Sequence, residues 1–196
     1  MTAFPEELSP YFREGITAEE YDRMPEELCR KIEIVDGIIH MSPSPFVKHN
    51  RVARRIAHAL EDAAPRPWKV EMDVDLRISE VPLTNRRPDV IVFQGDEDDP
   101  PILPEQALLT VEVMSQGSVT TDRHDKPAEY AAVGIPHFWR VERTESGLVT
   151  YTFILNQTTR TYLGTGAFSG ILKVEQPFPV EIDLSAAIAP FWSDDE

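Results

Sequence analysis

Arg87-Pro88-Asp89-Val90-Ile91-Val92-Phe93 and Leu108-Leu109-Thr110-Val111-Glu112-Val113-Met114 decide how this chain is read. Both runs have strand length and are rich in β-branched and apolar residues. Each carries one carboxylate where a buried strand should be apolar. Taking a carboxylate out of water is costly unless it is paired or holds a cation. Two acids on two core strands therefore point to one shared site.

The flanking sequence frames that pair. Residues 68–78 alternate, with Val70, Met72, Val74 and Leu76 against Glu71, Asp73, Asp75 and Arg77, which predicts one half-exposed strand. Residues 82–86 read as a turn, and 95–104 as an acidic, proline-bearing surface loop. After Glu112, residues 115–121 form a polar turn and 122–134 a helix ended by Gly134. Pro127 has no N–H to donate, so it belongs in the first turn. The regular helix then starts near His124 or Asp125, with Lys126 at its beginning. A strand over 137–142 follows, then a hairpin of 148–155 with 161–164. Strands are expected at 171–175 and 180–182, and Asp183 caps a last helix over 184–188.

Upstream, residues 1–16 are a loose lead-in. Thr17-Ala18-Glu19-Glu20 has capping-box spacing and starts a helix reaching about Met24. Residues 26–30 connect it to a hairpin, 31–35 with 38–41, around Asp36-Gly37. That dipeptide suits a turn with positive φ at both central residues. The register sets Val35 against Ile38 and Glu33 against His40, with Ile32, Ile34, Ile39 and Met41 on one face. Ser44 suits an N-cap and Pro45 the first position of a helix reaching Ala63. Val52, Ile56, Ala59 and Ala63 are its apolar side. Lys48, Arg51, Arg55 and His58 fall on another side, which reads either as a solvated face or as a contact for nucleic-acid phosphates.

At 196 residues the chain is read as one domain spanning 1–196, closed by an acidic tail at 191–196. With 41% hydrophobic and 27% charged residues it has ordinary globular composition. No apolar run nears the roughly 18 residues that span a membrane, and the acidic start does not resemble a signal peptide. The single cysteine, Cys29, fits a reducing cytoplasm. A net charge of −15 argues against a general nucleic-acid binder, though not against a metal-dependent nuclease whose local charge differs from the total. No His/Cys set has zinc spacing, and no Gly-rich phosphate loop or Ser nucleophile motif is present.

The order Pro88-Asp89, Glu112-Val113-Met114, then Lys126 at a helix start resembles the PD-(D/E)XK nuclease superfamily. More closely, the chain resembles the Uma-two family of restriction-endonuclease-like proteins over roughly residues 17–190. The most specific parts are Ile32-Glu33-Ile34-Val35-Asp36-Gly37, the Pro-Asp strand, Val111-Glu112-Val113-Met114-Ser115, and the run Asp122, Lys126, Tyr130, Gly134, Trp139. The superfamily motif has Lys two residues after Glu; here that position is Met114, and the resemblance implies that Lys126 takes its place. Gln116 stands where the family commonly has Pro, and Pro127 is unusual in that helix. The resemblance implies an α/β fold, with a restriction-endonuclease-like central mixed β-sheet flanked by helices. It also implies that the main-chain carbonyl of Val113 joins the two acids as a metal ligand.

Chemistry supports the same set. Mg²⁺, or Mn²⁺ as its substitute, takes hard oxygen ligands, and Asp89 and Glu112 can supply two. Lys126 would orient the attacking water or stabilise developing negative charge. The expected reaction is hydrolysis of a nucleic-acid phosphodiester, DNA before RNA, by an enzyme that could form a symmetric homodimer. Two other classes stay open: a catalytically inactive nuclease-fold interaction module, and a hydrolase of a small phosphorylated substrate. Each residue also has a competing role. Asp89 could pair with Arg86 or Arg87, and Lys126 could be helix-surface charge. Glu33 is either a site acid or, as slightly favoured, a cross-strand partner of His40. Asp122 caps the helix approach or holds Lys126, the cap being favoured. His49 points toward phosphate or, as favoured, rests on the surface. Tyr130 and Trp139 read as core.

Overall fold

Apolar layers cover opposite faces of one mixed sheet in the computed structural model, which describes residues 15–41, 47–96, 101–115, 120–145 and 147–188. Residues 1–14 of the lead-in expected over 1–16, Ser44, Pro45, Gln116 and the tail at 191–196 lie outside the described residues, and Ile16, at the end of that lead-in, is buried and not loose.

Thr17 and Glu20 form the expected capping box at the start of α1 (Ala18–Asp22). A second short helix, α2 (Glu26–Cys29), stands where a connector was expected. Pro25 precedes it and Glu26 and Glu27 fill its first turn, an arrangement that suits a helix N-terminus. Strands β1 (Ile32–Val35) and β2 (Ile38–Met41) pair in the expected register, with φ of 51° at Asp36 and 77° at Gly37. Ile32, Ile34 and Ile39 are buried with Tyr21, Met24 and Leu83; Met41 is left at the exposed margin.

α3 (Val47–Ala63) buries Val52, Ala53, Ile56, Ala57 and Leu60, the stripe that a 3.6-residue period makes continuous. The alternating run after it is not one strand. It divides into β3 (Lys69–Glu71) and β4 (Leu76–Glu80), which join different sheets. The chain turns at Asp73, where φ is 53°, and Arg87 holds the turn by donating to Asp73 Oδ1 at 3.0 Å and Asp75 Oδ1 at 2.7 Å. The expected turn over 82–86 is mostly strand β5 (Leu83–Arg86), hidden although three of its residues are polar. Each polar side chain makes a contact that offsets part of its burial, although Asn85 Nδ2 has no hydrogen-bond partner among the described residues. Thr84 Oγ1 accepts the Asp36 N–H, Asn85 Oδ1 accepts Arg77 Nε–H, and Arg86 meets two carboxylates.

β7 (Ala107–Val113) carries Glu112, whereas β6 (Val90–Phe93) begins one residue after Asp89, which was expected inside the strand. A wide turn and α4 (Lys126–Val133) connect β7 to its parallel neighbour β8 (His137–Thr144). Then come β9 (Gly147–Asn156), β10 (Thr161–Ser169), β11 (Ile171–Val174), β12 (Val180–Asp183) and α5 (Leu184–Ile188). β10 runs five residues past its expected end, through a register shift between Gly164 and Gly166. Asp183 caps α5 as expected, accepting the N–H groups of Ser185 and Ala186 at 2.8 and 3.1 Å.

The central sheet has the order β10-β9-β8-β7-β6-β3, mixed as expected; a four-stranded sheet has the order β2-β1-β5-β4. Alternation along β6 sends Val90 and Val92 toward α3, α5 and the β11–β12 hairpin, and Ile91 and Phe93 toward α4 and β4. Both faces are covered, which is why β6 reads as an unbroken apolar run. No helix among the described residues is long and apolar enough to cross a membrane.

Candidate functional site

In β7 the same alternation points Val111 and Val113 to the α3 side and Glu112 to the α4 side. Glu112 is 2% exposed. Its Oε2 accepts a hydrogen bond from Lys126 Nζ at 3.0 Å, and its Oε1 accepts one from the Tyr130 hydroxyl at 2.7 Å. Lys126 and Tyr130 are four residues apart on α4, so one helix turn delivers both to the same carboxylate. Tyr130 also packs in the core beside Phe138, as expected, and Trp139 is core alone. The bond from Tyr130 to Glu112 is what sequence reasoning missed, although the spacing from Lys126 could have revealed it.

The turn before α4 is wider than an α-turn: the Lys126 N–H bonds back five residues, to Thr121 O. Pro127 lacks the N–H that would continue an α-ladder to Arg123, so the wider turn omits nothing there. It brings Asp122 to 3.7 Å from Lys126 Nζ. Asp122 is therefore a buried neighbour of the lysine. Lys126 is 7% exposed, which discards the reading of it as helix-surface charge.

Asp89 precedes β6 and turns to the neighbouring strand, where its Oδ2 accepts the Val113 N–H at 2.6 Å. His49 Nε2 stands 3.3 Å from the same oxygen. Neither Arg86 nor Arg87 takes the partnership with Asp89, since each meets other carboxylates. The favoured surface role for His49 is likewise corrected: its side chain is 13% exposed and set between α3 and Asp89. Glu33 pairs in register with His40, yet its carboxylate turns the other way. Its Oε2 accepts from Arg86 Nη1 at 3.0 Å, and its Oε1 accepts the Arg87 N–H at 3.2 Å and lies 3.2 Å from Lys126 Nζ. One ammonium thus has Glu33, Glu112 and Asp122 around it. Glu129, the second partner of Arg86, was not singled out by the sequence, and Arg86 only as a possible partner of Asp89.

The basic residues of α3 do not join this cluster as a group. Lys48 is exposed and Arg51 half-buried. Arg55 lines an open recess with His58, Glu181 and Asp183. It lies six residues beyond His49, roughly 9 Å along a helix axis.

Charge balance follows from these contacts. Burial raises the Glu112 carboxyl, Lys126 lowers it, and Asp89, Asp122 and Glu33 raise it again, leaving it pushed up to about 8. Burial would lower the Lys126 amine, but Glu112, Glu33, Asp122 and Asp89 outweigh it and hold the amine above its ordinary value. Burial likewise opposes the charge on His49, and Asp89 overcomes it to bring the imidazole to about 9. Burial would raise Glu33, but Lys126 and Arg86 hold it low. Asp89 and Glu112 supply carboxylate oxygens of the hard kind that a divalent cation takes. Among the described residues no three His, Cys, Asp or Glu side chains form a ready metal cage. Mg²⁺ does not need one, because it is usually held by one or two carboxylates with waters and substrate phosphates.

A family model described as "Uma2: Putative restriction endonuclease" matches residues 18–187. Among solved structures, the chain is similar to a protein from Anabaena variabilis described as a putative nuclease belonging to DUF820. The identity is 17%, the match covers 83% of this chain and 89% of that one, and the TM-score is 0.62. That likeness shows a shared fold. No curated protein matches.

Proposed function

The chain belongs to the Uma2 family, and we propose that it is a Mg²⁺-dependent endonuclease that hydrolyses phosphodiester bonds, with DNA as the preferred substrate. One observation carries the reading: Glu112 and Lys126 meet at 3.0 Å inside the protein, beside Asp89, which leads into the adjoining strand. Buried charges of this kind are a poor source of stability, so a role in chemistry accounts for them better than packing does.

Asp89, Glu112 and the main-chain carbonyl of Val113 would hold the metal, for which Mn²⁺ can substitute. When bound, it would supply a Lewis acid for a phosphoryl oxygen and lower the pKa of a coordinated water. Lys126 orients the attacking water and offsets charge developing on the phosphate. Tyr130 fixes one Glu112 oxygen, while Glu33 and Asp122 keep the ammonium in place. His49 holds Asp89 and, from the start of α3, can also face the phosphate. Lys48, Arg51 and Arg55 are the candidate backbone contacts; Arg55 is the least suited, because it shares its recess with two acids. A reducing cytoplasm suits the buried thiol of Cys29, and a symmetric dimer would offer two sites to two strands.

One observation favours a second reading, that of a non-catalytic nuclease-fold module: both Glu112 oxygens already accept bonds from the protein. Calorimetry with Mn²⁺ on wild type, Asp89→Asn and Glu112→Gln separates the two, paired with cleavage of plasmid DNA. The nuclease reading expects stoichiometric binding that both variants lose, and a fall in cleavage of about 10²–10³-fold. Wild type that neither binds Mn²⁺ nor cleaves would put the module reading first.

A further inference from the structure

Arg86 is 4% exposed and sits at the end of β5, between the four-stranded sheet and α4. It holds two carboxylates at once. Nε and Nη2 donate to Glu129 Oε2 and Oε1 at 2.7 and 2.6 Å, a two-pronged contact, and Nη1 donates to Glu33 Oε2 at 3.0 Å. Glu129 belongs to α4, the helix that carries Lys126 and Tyr130; Glu33 belongs to β1, and its other oxygen lies against Lys126. The contacts form a closed loop: helix, Arg86, Glu33, Lys126, helix.

We infer that Arg86 is a positioning residue: it aims Glu33 Oε1 at the Lys126 ammonium and fastens the helix bearing Lys126 to the N-terminal sheet. Only a planar fork can do this, since Glu129 takes two of its donors and Glu33 a third. A purely structural account is the weaker one, because buried ion pairs can often be replaced by apolar side chains without loss of stability. The Arg87 N–H completes the aim by donating to the same Glu33 oxygen that faces the lysine, at 3.2 Å. The N-terminal hairpin thereby contributes to a site whose main acids come from the central sheet. For its effect on turnover, the inference rests on the reading of Lys126 as the group that acts on the phosphate.

The test uses Arg86→Lys and Glu129→Gln in the full chain, the second on a side chain 24% exposed that can lose its charge without collapse of the core. The first readout needs no activity: the side-chain ammonium NMR signals of the metal-free protein, labelled on its five lysines and assigned with Lys126→Met. In wild type the Lys126 signal should stand apart from those of Lys31, Lys48, Lys69 and Lys173. Both variants should move it toward the exposed group or broaden it through exchange. The second readout is cleavage, where kcat should fall roughly 10–100-fold, the scale for groups supporting a first ligand shell. KM and Mn²⁺ affinity should change less than kcat. An unmoved Lys126 signal in folded Glu129→Gln and Arg86→Lys overturns the positioning role, whether or not wild type cleaves DNA. A moved signal in a protein that never cleaves keeps the positioning role and sinks the nuclease reading instead.

Discussion

Glu112 and His49 bind their protons more tightly in the folded protein than in the unfolded chain. Glu112 rises from 4.5 to about 8 because burial and three other acids outweigh Lys126; His49 rises from 6.5 to about 9 because Asp89 outweighs burial. Between those limits the folded state holds the extra proton, so its stability falls as pH rises. Glu33, held low, works in the opposite sense and loses its contribution as pH falls below its ordinary value. Thermal unfolding of the metal-free protein should therefore peak in mildly acidic buffer and decline toward pH 9. Glu112→Gln should flatten the lower part of that decline and His49→Gln the upper part. A melting temperature that climbs from pH 6 to 9 would contradict this charge balance.

At the scale of the element, α4 owes its end to Gly134, whose φ of 95° is left-handed and whose N–H reaches Tyr130 O and Ala131 O. Gly134→Ala should cost about 1–2 kcal/mol, the penalty for a side chain in that conformation, and the Arg160 guanidinium must move from the new methyl. For a chain of this size the melting temperature should drop by roughly 2–8 °C. Gly134→Asn should cost less, because Asn visits that region more readily. An unchanged melting temperature in Gly134→Ala would mean that the helix end is not set there. The start of α4 was harder to read. Lys126 and Tyr130 share a face by spacing alone, whereas the widened turn depends on where Pro127 lies against Thr121 and Arg123.

For the whole molecule, stability concentrates where α3 lies on the central sheet. Leu60 is fully buried there among Val90, Val92 and Leu109. Leu60→Ala should cost about 2–5 kcal/mol in urea unfolding, the range for a large aliphatic side chain cut from a core. Lys48→Ala, on the exposed side of the same helix, should stay within about 0.5 kcal/mol. Equal costs would mean that α3 does not pack as described. The helix therefore has one apolar face in the core and presents His49 to the site from its first turns.

The sequence by itself determined the apolar strand that follows Asp89, the strand that carries Glu112, the Asp36-Gly37 hairpin, the helix that brings Lys126, and the Asp183 cap. Each rests on local chemistry: apolar period, turn residues, a missing N–H, a capping side chain. Only the tertiary structure decided which carboxylates meet Lys126. Glu33 and Asp122 read more simply as a cross-strand partner and a cap, and both turned inward because a buried ammonium attracts them more strongly than exposed alternatives do. The break at Asp73 and the buried strand ending at Arg86 were hidden for the same reason. Alternation and polarity describe a strand's own faces, but the partner that makes a polar side chain worth burying is supplied by residues distant in the chain.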